Sequence, residues 1–242
     1  MLPVAEFGTK SQLSLPMVGN VAGRVLSLNL GRAAPNAAND GYVTGIGKLP
    51  VPSAVFRPPG PKLGGLGSGI EGDFIGSHRH HGGDHQAVYA YSRQELDAWQ
   101  ERLGRDLPNG MFGENLTTLG VDVDGALIGE QWSVGDEVVL EVRGPRIPCA
   151  TFQARMGEKG WMKRFTQVGN SGAYLAVAEP GTVRQGDAVA VVSKPDHDID
   201  IRLAFRAFSN DVAAAEKVVA AQCLNEPDHS ELAAWVERRL NR

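Results

Sequence analysis

Glycine and proline divide most of this chain into short segments. They account for 30 and 14 of its 242 residues. Both residues interrupt helices and central strands, so short strands joined by turns are favoured over long helices. The stretch 58–69, Pro-Pro-Gly-Pro-Lys-Leu-Gly-Gly-Leu-Gly-Ser-Gly, is too rich in both for any regular element. We interpret it as a linker or lid rather than a phosphate-binding loop, because the GxxxxGK[ST] pattern is absent.

Apolar residues repeat with a strand period before residue 195 and with a helix period after it. Strands are predicted at 21–30, 51–56, 87–91, 137–143, 171–179 and 188–193. One helix interrupts them: Ser92 and Glu95 fit a capping box, and Gly104 fits a stop signal. Helices are predicted again at 201–208, 210–222 and 230–240. The fold class is therefore α+β, mainly β, with a short helical C-terminal tail.

Composition and charge exclude several classes of protein. Apolar residues make up 42% and charged residues 21% of the chain, which is ordinary for a globular protein. A net charge of -4 argues against general binding to nucleic acid or anionic membranes. The two cysteines lie far apart and imply no disulfide framework, which favours a reducing compartment. The N-terminus shows neither a signal peptide nor a membrane span, so we expect a cytoplasmic protein.

Cys149 follows an unusual segment, Pro145-Arg146-Ile147-Pro148. Each proline fixes φ and removes a backbone donor, so the thiol is predicted on a stiff, non-helical segment after a strand. Arg146 and other nearby arginines favour the thiolate, which is the nucleophilic and metal-binding form. The alternative is a small buried apolar residue, as most free cysteines are.

Four of the six histidines fall within one run, at His78, His80, His81 and His85. Their spacing matches no zinc motif, and Gly82-Gly83 would break a helix that aligned the rings, so we predict no structural zinc site. Two interpretations of the run remain: a pocket rim, in which His81 precedes a turn that brings backbone amides close to a ligand, and a solvated polar loop.

Two further blocks offer polar side chains. In Phe112-Gly113-Glu114-Asn115, Asn115 can donate and accept hydrogen bonds to a ligand. Glu114 is either a general acid or a residue that ties down its loop, and the sequence leaves both open. Lys163 and Arg164 either meet an anionic ligand or lie on a solvated face.

Four blocks together resemble the MOSC domain family, which is related to the C-terminal domain of molybdenum-cofactor sulfurase. They are Gly-Ile-Glu-Gly-Asp (69–73), His-Gly-Gly-Asp (81–84), Phe-Gly-Glu-Asn (112–115) and Pro-Arg-Ile-Pro-Cys (145–149). The resemblance spans roughly 21–193 and suggests a stand-alone bacterial member of the YiiM type. It implies a β-barrel with flanking helices. Because residues 1–19 show no clear period and the period changes after residue 195, the chain divides into an N-terminal arm (1–19), a barrel domain (20–195) and a helical tail (196–242).

The resemblance also implies a function. It implies binding of the molybdenum cofactor (molybdopterin), with Cys149 as metal ligand and catalytic residue, and reduction of N-hydroxylated substrates such as nucleobases. A family-level association with pyridoxal phosphate binding comes with it. The candidate cofactor-binding residues are Arg79, His81, Gly82, Gly83, Asp84, Glu114, Asn115, Arg146, Lys163 and Arg164.

Reduction also needs electrons from outside the chain. We expect an external electron-donor protein, because the sequence shows no flavin or nicotinamide motif and has too few cysteines for an all-Cys iron–sulfur cluster. Neither nucleic acid nor a membrane is expected as a partner. The alternatives are a non-catalytic carrier of the cofactor or of sulfur on Cys149, and a cysteine hydrolase with His78, His80 or His81 as base.

Overall fold

The computed structural model describes residues 20–241, so the predicted N-terminal arm, 1–19, lies outside the described residues. The strands are β1 (Asn20–Gly31), β2 (Ala34–Pro35), β3 (Val43–Thr44), β4 (Lys48–Val51), β5 (Ser53–Phe56), β6 (Val88–Ser92), β7 (Leu116–Leu119), β8 (Gln131–Val134), β9 (Val138–Pro145), β10 (Ala173–Glu179), β11 (Gly181–Arg184) and β12 (Ala188–Ser193). The helices are α1 (Arg93–Leu103), α2 (Ala150–Met156), α3 (Trp161–Val168), α4 (Ile201–Phe208), α5 (Val212–Ala221) and α6 (Asp228–Leu240).

Seven strands form a closed barrel in the order β12-β8-β9-β10-β6-β7-β1, and β1 returns to pair with β12. The pairings around the ring are antiparallel except for β6 with β7, which is parallel. The mainly β barrel with flanking helices is therefore confirmed. Closure leaves the barrel without a free sheet edge, and β4 extends the sheet from β1 beyond the ring.

Strand β1 has 12 residues, and successive parts of it pair with three different strands. Along its length it pairs with β12, β7 and β4. Where it passes β7, a Cβ on Gly23 would lie 2.2 Å from the Leu119 carbonyl oxygen. Only glycine permits this close approach of the two backbones, so Gly23 helps the barrel to close.

Strand β6 separates two apolar layers. Its five residues are all buried, and its side chains alternate between faces as strand geometry requires. Val88 and Ala90 enter the barrel core, whereas Tyr89 and Tyr91 join an outer aromatic layer that includes residues of α1, α2 and α3. The candidate site lies on the side of this outer layer.

The best-marked helix of the sequence, α1, forms as predicted. The Ser92 side chain accepts a hydrogen bond from the Glu95 amide, and Gly104 ends the helix with φ 64°. Leu96 and Trp99 are its buried residues. The predicted strand at 51–56 is wrong as a single element, because the chain breaks at Pro52 into β4, which pairs with β1, and β5, which pairs with β11.

The helical tail packs onto the barrel and shares its core. Ile201, Ala215 and Leu232 belong to the same buried cluster as the barrel interior. Arg202 of α4 donates hydrogen bonds to Asn170 at 3.1 Å and to Asp122 at 2.8 Å. The tail therefore braces the loop that leads into β10. Within residues 20–241, no helix is both long and apolar enough to cross a membrane.

Candidate active site

A cavity of about 840 Å³ opens beside the barrel wall. Tyr89 of β6, Tyr174 of β10 and the segment that joins β9 to α2 form its inner wall. Two further segments, 36–46, which includes β3, and 74–82, form its outer wall. Binding pockets of this size typically hold an organic ligand.

Six of the predicted site residues line this cavity together. They are Arg79, His81, Gly82, Asn115, Arg146 and Cys149. They come from three separate stretches of sequence, 79–82, 115 and 146–149, so the barrel brings together blocks that the chain keeps far apart.

Cys149 occupies the position just before α2, on extended backbone with φ -132° and ψ 170°. A serine or threonine there would commonly cap the helix with its side chain, but the Cys149 thiol makes no such bond. The residue is half-buried and is not in a disulfide. Its sulfur is therefore available to a ligand, on the rigid non-helical segment predicted from the two prolines.

Arg146 is a buried cation with an unused donor. The side chain is 5% exposed, and its guanidinium carbon stacks 3.6 Å from the centre of the Phe152 ring. Its Nη1 atom has no hydrogen-bond partner, and no ion pair with Arg146 occurs within residues 20–241. Leaving a buried charged donor unsatisfied is costly. The arrangement suits an anionic ligand that completes it.

The described residues that line the cavity carry positive charge and no negative charge. Among the described residues that line it, none is Asp or Glu, while Lys48, Arg79 and Arg146 are cationic. The charge of Lys48 is neutralised by the buried carboxylate of Asp73. Arg79 and Arg146 therefore supply the remaining positive charge of the cavity. Because the whole chain has a net charge of -4, this concentration of positive charge is local and favours anions.

His81 is held neutral. Burial lowers the pKa of its imidazole to about 4, and the Arg146 guanidinium contributes to the shift. A neutral imidazole has one donor nitrogen and one acceptor nitrogen. It can therefore receive a hydrogen bond from a substrate without adding charge to the site.

We expect the His81 ring to titrate near pH 4 in an NMR titration of the folded protein. The unfolded chain would bind this proton near pH 6.5, so His81 should make the fold less stable as pH falls from about 6.5 towards 4. Arg146→Gln should raise the pKa only in part, because burial is the larger cause. An imidazole that titrates near pH 6.5 in the wild type would contradict this assignment.

The comparisons with known proteins identify the family. The family model of the MOSC domain matches residues 77–190. The uncharacterized protein YflK of Bacillus subtilis (strain 168) is 32% identical over 206 residues, which cover 84% of this chain and 89% of YflK. The chain belongs to the MOSC domain family. MOSC domains are associated with binding of the molybdenum cofactor.

Two further relatives extend the comparison. A protein of Gibberella moniliformis (strain M3125 / FGSC 7600) named as a reductase is 31% identical over 131 residues, 53% of this MOSC chain but only 23% of that protein. The crystal structure of YiiM from Geobacillus stearothermophilus superposes with a TM-score of 0.67 at 23% identity, over 90% of this chain and 98% of YiiM. At that identity the likeness supports the shared fold alone.

The Gly-Gly pair of the MOSC chain serves packing more than ligand approach. At φ 82°, a Cβ on Gly82 would lie 2.6 Å from the Gly67 carbonyl oxygen, and one on Gly83 would lie 2.7 Å from Lys62 backbone atoms. The Asp84 carboxylate accepts a hydrogen bond from the Gly60 amide at 2.8 Å. Residues 82–84 therefore hold the glycine- and proline-rich segment in place, and Gly83 and Asp84 do not line the cavity.

Glu114 lies behind the cavity and ties down its loop. It is fully buried, and its carboxylate accepts hydrogen bonds from the amides of Gly110 and Phe112 and from the Thr117 hydroxyl. Burial raises the pKa of Glu114. Of the two roles that the sequence left open, the geometry fits the structural one.

Asn115 lines the cavity, but its side-chain amide already makes hydrogen bonds to other residues of the protein. Its side-chain amide donates to the Asn29 carbonyl at 3.2 Å and to Asp73 at 3.0 Å, and its oxygen accepts from the Tyr89 amide at 3.2 Å. Asp73 also accepts from Ser68 at 2.8 Å. This network leaves Asn115 little capacity to bind a ligand, so its main effect is to fix the cavity floor.

Lys163 and Arg164 lie on α3, outside the set of residues that line the cavity. Lys163 is exposed, and Arg164 pairs with Glu158 at 3.4 Å. The structure therefore gives these two cations no place in the candidate site.

Sequence reasoning missed Lys48 and Tyr174, which line the cavity. Lys48 stands in a short strand, and its ion-pair partner Asp73 lies 25 residues further along the chain, so no local pattern marks it. Tyr174 fits the apolar pattern of β10, so the sequence does not distinguish it from a core residue. Burial raises the pKa of the Tyr174 hydroxyl, against the nearby charge of Arg146, so the hydroxyl stays protonated and can donate a hydrogen bond.

Proposed function

We propose that this MOSC protein binds the molybdenum cofactor in the cavity and reduces N-hydroxylated substrates, with Cys149 as the metal ligand. The observation that carries the proposal is the pairing of a free sulfur with a buried guanidinium whose Nη1 has no partner, in a cavity whose described lining residues include no Asp or Glu. A thiolate suits a soft metal, and an arginine donor suits a phosphate. One pocket thus offers a ligand for each end of such a cofactor.

Different residues of the chain would hold the metal, hold the phosphate and orient the substrate. When bound, the cofactor supplies two-electron redox chemistry at its metal. The Cys149 sulfur would hold the metal, and Arg146 and Arg79 would hold the phosphate. The neutral His81 ring and the protonated Tyr174 hydroxyl would orient the N-hydroxyl group by hydrogen bonds.

The balanced reaction is R–NH–OH + 2e⁻ + 2H⁺ → R–NH₂ + H₂O. The N–O bond breaks, the substrate is reduced, and its oxygen leaves as water. The two electrons require a separate donor, which we propose to be a protein. The relative named as a reductase agrees with a reductive reaction, and the matched segment is 23% of that protein.

The direct test is the cofactor content of protein purified from a molybdenum-replete host. We expect close to one equivalent each of molybdenum and pterin per chain, and turnover of a hydroxylamine substrate with a chemical reductant. Protein that carries neither molybdenum nor pterin, under conditions that load a known molybdenum enzyme in the same host, would overturn the proposal.

Arg146→Gln should weaken binding of inorganic phosphate to the cofactor-free protein by about 10- to 100-fold. Hydrogen bonds to charged groups are worth about 1.5–3 kcal/mol, which corresponds to that range. The free energy of unfolding should change by less than about 1 kcal/mol, because the lost stacking on Phe152 is offset by removal of an unsatisfied buried charge. Isothermal titration and denaturant unfolding measure the two quantities.

Arg164→Gln is the matched control, since Arg164 lies outside the cavity and pairs with Glu158. It should leave phosphate binding unchanged. Equal loss in both variants, or none in Arg146→Gln, would remove Arg146 from the anion site.

A further inference from the structure

The segment from Cys149 to Asn170 is strongly cationic for a chain of this charge. It contains Arg155, Lys159, Lys163 and Arg164 but a single acidic residue, Glu158, while the whole chain has a net charge of -4. Arg155, Lys159 and Lys163 are exposed. We call the outer surface of this segment the α2–α3 face.

The charges of this face are not neutralised within the described structure. Glu158 is shared by Arg164 at 3.4 Å and Arg105 at 3.5 Å. Within residues 20–241, Arg155, Lys159 and Lys163 make no ion pair. Three exposed cations are therefore left without a neutralising carboxylate, because Glu158 already pairs with two arginines.

The face also includes apolar surface and a shallow depression. Met162 is 37% exposed between the cations. A depression of about 400 Å³ is lined by Lys159, by Glu158 and by Ala150, which also lines the main cavity. Apolar surface rimmed by charge is typical of a site of protein–protein contact.

The face is joined directly to the proposed metal ligand. Helix α2 begins at the residue after Cys149 and has 7 residues, which span about 10 Å at the rise of an α-helix. Arg155 lies in its last turn. A protein seated on this face would therefore be about one short helix away from the sulfur that holds the metal.

We propose that the α2–α3 face docks an acidic electron-carrier protein that contains a flavin or an iron–sulfur cluster. The inference rests on the proposed function, which consumes two electrons per substrate that the chain cannot supply. Charge complementarity favours this occupant, because free cations attract an acidic protein and steer its approach. A nucleic acid is disfavoured, since the remaining surface of an acidic chain repels a long polyanion.

The test is a binding experiment with two acidic probes, a flavodoxin and a [2Fe–2S] ferredoxin, against the wild-type protein at low ionic strength. We expect saturable binding of at least one probe. In the triple variant Arg155→Glu, Lys159→Glu, Lys163→Glu, the association rate constant should fall by about 10- to 100-fold, within the range of electrostatic steering. Raising the salt should abolish most of the difference between the variants.

A matched control changes three exposed cations elsewhere, Arg184→Glu, Lys217→Glu and Arg238→Glu. It has the same net charge as the α2–α3 variant, so any difference between the two variants reports where the charges lie rather than the total charge. Association of the control should fall much less than that of the α2–α3 variant, and at about 0.1 M salt it should stay within about threefold of the wild type, because charges more than about 10 Å from the docked probe are then screened.

Molybdenum content, measured on the same preparations, separates the two proposals. Wild-type protein without molybdenum contradicts the proposed function whatever the probes do. Molybdenum-loaded protein that binds neither probe, or that loses binding equally in both triple variants, overturns the docking face. Tighter binding of a single-stranded oligonucleotide than of either acidic probe, lost in the α2–α3 variant, also overturns it.

Discussion

Cys149→Ser should fold like the wild type but purify with at most about a tenth of its molybdenum, and it should lose hydroxylamine reduction to the same degree. A hydroxyl is a far poorer ligand than a thiolate for a soft metal. The fold should tolerate the change, because the thiol makes no cap and is only half-buried. We expect the free energy of unfolding to change by about 1 kcal/mol or less.

Cys223→Ser is the matched control. Cys223 is the other free cysteine and lies between α5 and α6, away from the cavity. Burial raises the pKa of its thiol, which is the opposite of what a reactive cysteine needs. This variant should keep both molybdenum and activity. Metal analysis, thermal melting and a hydroxylamine assay on the two variants complete the comparison.

The same pair of variants separates the competing functions. A carrier would lose metal in Cys149→Ser, yet its wild type would show no turnover with any reductant. A purely structural cysteine would give a folded variant with unchanged metal content. Full molybdenum occupancy together with full activity in Cys149→Ser would end the proposal.

The sequence predicts elements whose signals are local. Helix α1 carries its start at Ser92 and its stop at Gly104, so its bounds can be predicted without tertiary information. The pattern at 188–193 likewise predicts β12 correctly. In contrast, β7 and β8 were missed, because each is only four residues long and depends on neighbours distant in the chain.

The candidate site is only partly predictable for the same reason. Arg146 and Arg164 look alike in sequence, since both are cations near Cys149. The turn between α2 and α3 sends Arg164 to the outer surface, whereas Arg146 is buried against Phe152 in the cavity wall. Local patterns identify residue types with suitable chemistry, but burial and long-range packing decide which of them meet.

The second large effect that we expect is on stability. Glu114→Ala should lower the free energy of unfolding by about 3–4 kcal/mol. The change leaves two backbone amides and the Thr117 hydroxyl without their buried acceptor, and each unsatisfied buried group costs about 1–3 kcal/mol. It also opens a cavity behind the site. Denaturant unfolding at neutral pH measures the change.

Two further variants decide what Glu114 does. Glu101→Ala removes an exposed glutamate of α1 and should alter stability by no more than about 0.5 kcal/mol. Glu114→Gln keeps the shape but turns one acceptor into a donor that faces other donors, so it too should be less stable than the wild type near pH 7.

Since burial raises the pKa of Glu114 in the folded state, ionisation of this carboxylate should weaken the wild-type fold as pH rises above about 4.5. Denaturant unfolding of the wild type between pH 4 and pH 7 measures this loss of stability, and Glu114→Gln, which has no ionisable group at this position, should not show it. A general acid would behave differently: Glu114→Gln would then unfold like the wild type and lose only turnover, and that outcome would return Glu114 to the catalytic site.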